Sequence, residues 1–296
     1  MILARKRPNY SWWLINFIFI LLSVSILLPF LIIISISLSD ETSLLRYGYK
    51  LIPDQFSLDG YKLAFTNPEV LLQSYGVTTL VTVIGTLISL LLTAMLGYSI
   101  SRPNYRYRRM TSFYVFFTML FSGGLVPSYI LITNVLQLTN TIWALILPLA
   151  LSPFNVLLMS GFLKKVPYEI IESAKIDGAS EWRIFFTIII PLSTPALTTL
   201  GVFISFAYWN DYFQALLYIQ DGRFVPLQLL LFRMINNILF LQSQIDYTSQ
   251  MIDLSRFPTL STRMAMVILA VGPALCFFPF LQRFFIEGLT IGSLKG

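Results

Sequence analysis

VPYEIIESAKIDGASEWRIFFTIIIPLSTPAL, Val166 to Leu197, sets a polar, charge-bearing segment directly against a long apolar run. The sequence predicts two short helices split at Asp177 and Gly178, because Asp-Gly is a turn signal and glycine takes positive φ without a Cβ clash. Pro167 falls near the first helical turn, where its missing N–H costs little. Pro191 opens the apolar run that follows. A helix-turn-helix of this kind, lying across one face of a membrane, is a rigid lever joined to a spanning helix.

Outward from this segment the chain is dominated by apolar stretches. Of 296 residues, 56% are hydrophobic and only 11% are charged, about half the charge of a soluble domain. A bilayer core of about 30 Å needs roughly twenty apolar residues in a helix that rises 1.5 Å per residue. Six spans are expected: Trp12 to Leu38, Ser74 to Ile100, Thr111 to Leu131, Ile142 to Leu163, Pro191 to Ile219 and Met264 to Leu281. Only the fifth holds a charged residue, Asp211. Kinks are expected at Pro29, Pro148, Pro153, Pro195 and Pro273, which neighbouring helices in a bundle can tolerate. The first apolar run is too long for a signal-peptide core and no small-residue cleavage site follows Leu38, so it reads as a retained span. Pro226 to Phe240 is leucine-rich but short, and it carries Arg233, Asn236 and Asn237; it reads as an external helix rather than a seventh span.

Charge placement sets the orientation. With the amino terminus in the cytoplasm, 13 Lys and Arg face inward and 7 face outward, which puts both termini in the cytoplasm. Arg102 to Arg109 is the strongest single contributor. The basic residues are scattered over short loops rather than gathered in one stripe, which argues against nucleic acid. Histidine is absent, removing the commonest metal ligand and neutral-pH base, and no metal site or catalytic residue is assigned. Cys276 lies inside an apolar run and reads as a small buried group. No G-x-x-x-x-G-K-[ST] loop occurs, so this chain carries no nucleotide site of its own.

The spacing Glu172, Ser173, Ala174, then Asp177, Gly178, Ala179, then Ile188 and Pro191 resembles the EAA loop of ABC importer permeases. Ser173 and Ile190 are mild departures, standing where alanine and leucine are usual. FSGGLVPSYIL at Phe121 to Leu131, YWNDYFQALLYI at Tyr208 to Ile219 and the ending GLTIGSLKG extend the similarity to MalG-like and LplC-like permeases of carbohydrate importers. The resemblance implies an all-α polytopic membrane protein of the type I importer permease fold, with a coupling loop at about residues 166 to 190. It implies a subunit that imports oligosaccharides or other carbohydrates across the bacterial inner membrane by alternating access, and that is not itself an enzyme. ATP and Mg would be bound by two partner ATPase subunits, with no cofactor on this chain. A second, unlike permease and an extracytoplasmic solute-binding protein complete the implied assembly, set in membrane lipid.

Three sets of residues follow as candidates. Glu172, Ser173, Ala174, Asp177, Gly178, Ala179, Ile188 and Pro191 would couple to the ATPase, the alanines permitting close backbone approach and Gly178 setting the interhelix angle. The tail Gly292, Ser293, Leu294, Lys295 and Gly296, similar to the MalG-like carboxyl end, would reach the ATPase pair, the bland alternative being a frayed end. Tyr208, Trp209, Asn210, Asp211 and Tyr212 set aromatic rings beside polar groups, which suits a sugar path; an interfacial aromatic belt with Asp211 reaching water fits equally. The long external segments Ser39 to Gln73 and Gln220 to Arg263 read as solvated loops or as docking surface for the binding protein. Three rivals are weaker. A secondary transporter would show inverted repeats or several intramembrane charges, a membrane enzyme would show clustered catalytic groups, and only the segments outside the EAA loop argue against a non-sugar cargo.

Overall fold

In the computed structural model, residues 10–247 and 259–290 are described, and they are helical throughout apart from connections. Among them the sole β pairing is an isolated antiparallel bridge between Ser39 and Phe56. The helices are α1 (Tyr10–Ser37), α2 (Glu41–Tyr47), α3 (Asp59–Ala64), α4 (Pro68–Ser101), α5 (Arg108–Leu120), α6 (Leu125–Ile130), α7 (Ile142–Ile146), α8 (Pro153–Leu163), α9 (Tyr168–Ile176), α10 (Glu181–Ile184), α11 (Ile190–Leu192), α12 (Thr194–Trp209), α13 (Phe213–Tyr218), α14 (Leu227–Tyr247) and α15 (Thr259–Thr290). The described residues fall into two compact units, one drawn from residues 10–68, 235–247 and 259–272 and one from residues 69–234 and 273–290.

Trp12–Ser37 and Pro68–Ser101 are long and apolar enough to cross a membrane unbroken. Three further candidates are bent pairs: Arg108–Leu120 with Leu125–Val135 at 111°, Ile142–Leu149 with Pro153–Leu163 at 53°, and Glu181–Leu192 with Thr194–Trp209 at 80°. The expected single helix over 111–131 is therefore broken. The cause is the pair Gly123 and Gly124, since Gly124 has φ 90° and ψ 177°, a conformation no helix continues through. At 142–163 the bend falls between Pro148 and Pro153, where the missing amides interrupt the ladder. The segment expected as an external helix at 226–240 is helical and runs on to Tyr247.

In the first unit, α1 is exposed from Trp12 to Leu31 over nearly every side chain, which is the surface of a helix meant for lipid or another chain. Asp40 caps α2, its Oδ2 accepting from the amides of Thr42 and Ser43. Glu41 is 5% exposed. Its carboxylate accepts from Thr259 Oγ1 at 2.9 Å, Leu260 N at 2.9 Å, Ser261 N at 3.1 Å and Ser261 Oγ at 3.0 Å. It thereby caps the amino end of α15, where orphan amides and the helix dipole both favour an anion.

In the second unit, α4 buries a stripe of mainly small residues, Ser74, Thr78, Val81, Gly85, Ser89, Thr93 and Gly97, at three- and four-residue spacing. Small side chains bring helices close, which is how membrane helices gain packing energy without a hydrophobic drive between them. One continuous hydrophobic cluster results. It joins Ile171, Ile184 and Phe185 through Met159, Leu163, Ile189, Ala196 and Leu200 to Tyr208 and Ile219.

Candidate functional site

The loop between α8 and α12 is built from its backbone outward. Pro167, at φ −56° and ψ 131°, precedes α9. The helix ends in a Schellman motif: Gly178 takes φ 78°, its amide bonds to Lys175 O at 3.0 Å, and the Ala179 amide reaches Ala174 O at 3.0 Å. Ala174 and Ala179 accordingly sit together against the hydrophobic cluster. Ser180 caps α10 by accepting from the Arg183 amide at 3.3 Å. Pro191 has no amide to donate, and ahead of it the helix loosens into a π turn at Phe185–Ile189. Ser193 then marks the 80° bend into α12.

The candidate coupling residues divide by this geometry. Ile188 is half-buried with Ala174 and Ala179, while Glu172, Ser173, Asp177, Gly178 and Pro191 are exposed. Ser173 Oγ donates to Glu169 O at 2.9 Å, so its hydroxyl is spent within its own helix. Ile171 and Ile184, one from each helix, are buried and tie the pair to the core.

A polar junction fixes the loop to the end of α4. Lys175 Nζ lies 2.5 Å from Glu181 Oε1, and Tyr98 Oη donates to Glu181 Oε2 at 3.0 Å. The hydrogen bond from Lys175 holds the Glu181 carboxyl below its ordinary range, against partial burial and helped by Tyr98. Arg102 lies over the Tyr98 ring, 4.4 Å from its centroid. Burial pulls the Arg102 guanidinium down, and Tyr98 and Glu181 oppose that pull. Around these groups is a hollow of about 330 Å³ that Tyr168 and Asn104 also line.

The aromatic cluster at 208–212 does not act as one surface. Tyr208 is 3% exposed and its hydroxyl bonds Ser89 Oγ at 3.1 Å and donates to Ile146 O at 2.9 Å. Its ring fills the notch at Gly85, where any Cβ would come within 2.6 Å of it. Trp209 is half-buried and Asn210 is exposed. Asp211 Oδ1 accepts from the Gln214 amide at 3.4 Å, at the start of α13. Tyr212 stacks on Phe232 with centroids 4.9 Å apart. Asn210, Asp211 and Tyr212 thus occupy the gap between α12 and α13, while Tyr208 faces the interior. The candidate tail, Gly292 to Gly296, lies outside the described residues. Among the described residues no group of acidic or thiol side chains could hold a metal ion.

Residues 1–290 match the profile of the binding-protein-dependent transport system inner membrane component. The chain belongs to that family. Within this permease family it is 38% identical to protein LplC of Bacillus subtilis, over 91% of this chain and 90% of the relative. It is also 38% identical to the B. subtilis polygalacturonan/rhamnogalacturonan transport system permease YtcP, over 91% and 92%. The trehalose/maltose permease MalG of Thermococcus litoralis is similar at 25% identity over 94% of each chain. Among solved structures, a chain of a bacterial ABC transporter that imports the acidic polysaccharide alginate superposes with a TM-score of 0.79 at 24% identity, covering 96% of this chain and 100% of that one. The permease fold expected from sequence is the fold observed, and the chain is a transport subunit rather than an enzyme.

Two features of this permease's loop escaped the sequence reading. Ile176 is 86% exposed and Trp182 is 61% exposed, and each stands between charged neighbours, Lys175 and Asp177 or Glu181 and Arg183. A large apolar side chain bracketed by opposite charges was the available signal. The second feature is the Tyr98–Glu181 bond, between residues 83 apart in sequence, for which no local pattern exists.

Proposed function

We propose that this permease imports carbohydrate by alternating access and that the loop at 166–191 is its coupling element, driven by two separate ATPase subunits that bind ATP and Mg. The supporting observation is the unbroken cluster from Ile171 and Ile184 to Tyr208. A load applied to α9 and α10 passes through packed side chains into α12, because such interiors transmit strain rather than absorb it. Ile176 and Trp182, exposed beside Glu172 and Asp177, give the loop an apolar contact surface with a charged border, the anatomy of a protein–protein interface. In this reading Gly178 fixes the interhelix angle, Pro191 and the bend at Ser193 redirect the load, and the tail at 292–296 adds a contact with the ATPase pair. The chain crosses the membrane six times with both termini in the cytoplasm, beside an unlike permease, and receives solute from an extracytoplasmic binding protein. Asn210, Asp211 and Tyr212 supply polar and aromatic contacts along the path, and Tyr208 supports them from behind. Oligosaccharides are the cargo, and pectin-type fragments are the first to assay because one of the relatives at 38% identity is named for them.

The test is copurification with the ATPase subunits followed by uptake of labelled oligosaccharide into proteoliposomes. ATP-dependent uptake needing all subunits is expected. Translocation by this polypeptide alone, or labelling of an Ile176→Cys variant by an impermeant maleimide from the outer side of the membrane, overturns the coupling reading.

A further inference from the structure

We propose that the arginine loop at 102–109 and the outward face of α5 form a binding site for one anionic phospholipid. Arg102, Arg106, Arg108 and Arg109 fall within RPNYRYRR, which contains no acid. Among the described residues none of the four is in an ion pair. Arg108 Nε donates to Ile100 O at 3.1 Å, leaving its terminal nitrogens over. Arg106 sits 5.8 Å from the Tyr107 ring centroid, whereas Arg102 lies over Tyr98 in the neighbouring hollow with Glu181. Arg106, Arg108 and Arg109 are like charges in a very short loop and repel one another, and an anion that they share relieves the repulsion.

Arg106, Arg108 and Arg109 line a hollow of about 730 Å³ with Asn104, Tyr105 and Ser112. Guanidinium forks pair with the oxygens of an oxyanion two at a time, as a phosphodiester headgroup offers them. Directly beyond it, α5 exposes Met110, Phe113, Tyr114 and Phe117, the i, i+3, i+4 and i+7 positions of one helix face. Phe113, Phe117 and Phe121 continue as a ladder, with centroids 6.1 Å and then 4.5 Å apart. A free phosphate would use the arginines and leave the rings uncovered. A charged head joined to an apolar tail matches both halves, and basic hollows beside spanning helices are where anionic headgroups collect.

The full chain, purified with its partner subunits and stripped of lipid, is titrated with dioleoylphosphatidylglycerol or dioleoylphosphatidylcholine, and retained lipid is counted by native mass spectrometry. The phosphatidylglycerol is expected to be favoured about tenfold, because both lipids carry the phosphodiester but the choline cation of the second cancels the net charge that the arginines attract. Arg106→Gln with Arg109→Gln should erase that preference. Phe113→Ser with Phe117→Ser should weaken dioleoylphosphatidylglycerol to the level of dihexanoylphosphatidylglycerol, whose short chains scarcely reach the rings. Should the arginine variant fail to assemble, the wild-type complex decides: its thermal shift with phosphatidylglycerol must shrink as salt rises. Equal retention of the two lipids, full displacement by glycerol 1-phosphate, or arginines shielded from phenylglyoxal in the lipid-free complex overturns the proposal, the last two pointing to a soluble phosphate or a protein contact instead.

Discussion

The loop at 168–184 turns Ile176 and Trp182 outward, whereas the cluster at 208–212 turns its most ligand-like residue, Tyr208, inward. Both segments mix aromatic or aliphatic side chains with acids, and both follow a run of apolar residues. What separates them is the partner each meets. Opposite Tyr208 stands Gly85, a notch shaped for its ring; Ile176 stays exposed among the described residues. A residue's chemistry therefore states what it can touch, and only the complementary surface states which side it touches. The loop leaves its large apolar side chains open, and the inward tyrosine holds α4 to α12.

The widest effect is expected where backbone geometry sets the loop. Gly178 has φ 78°, and proline fixes φ near −65°, so Gly178→Pro should cost at least ~3 kcal/mol locally. Uptake should collapse while ATP hydrolysis by the partner subunits continues. Gly178→Asn, which tolerates the left-handed region, should retain most uptake; equal damage from both would remove the angle-setting role.

Next comes the notch. Gly85→Ala should lower thermal stability by about 1–3 kcal/mol by overpacking, and Tyr208→Leu in the same chain should restore part of it. If the alanine alone is silent in a melting experiment, Tyr208 is not held there and the inward half of the contrast fails.

A smaller effect sharpens the gap between α12 and α13. Asp211→Ala should lower uptake with the complex still assembled. Asp211→Asn keeps an acceptor for the Gln214 amide, so recovery by asparagine assigns capping, worth about 1 kcal/mol, and continued loss assigns the path to the charge.

The smallest concerns pH. Because the folded Glu181 carboxyl is held low by Lys175, its contribution is complete above the ordinary glutamate range and fades as pH falls through that range and below it. The pair is largely solvated, so the effect should stay under ~1 kcal/mol. Amide exchange across α9 and α10 should quicken on acidification in the wild type, and Glu181→Gln should flatten that dependence.

Some of this was legible in the residues themselves. Twenty-eight uncharged or apolar residues announce α1, and Asp177-Gly178 announces the turn because few other pairs reach positive φ so readily. The break in the third apolar segment was not, since hydropathy runs on through Gly123 and Gly124 and carries no record of dihedral angle. Nor was the direction of Tyr208, which depends on Ser89, 119 residues earlier. Local signals report local geometry; which of two faces is covered depends on contacts that only the assembled bundle supplies.

Glu41 and Leu260 meet across 219 positions of sequence. A chain threaded into the bilayer from its amino end exposes this carboxylate early, and its four donors arrive only when the last long helix has begun. Until then the acid stays hydrated at the surface; afterwards it is shut away from water. Closure of that contact thus waits until residues 259–261 have been made, so α2 is finished only after the chain between has left the ribosome.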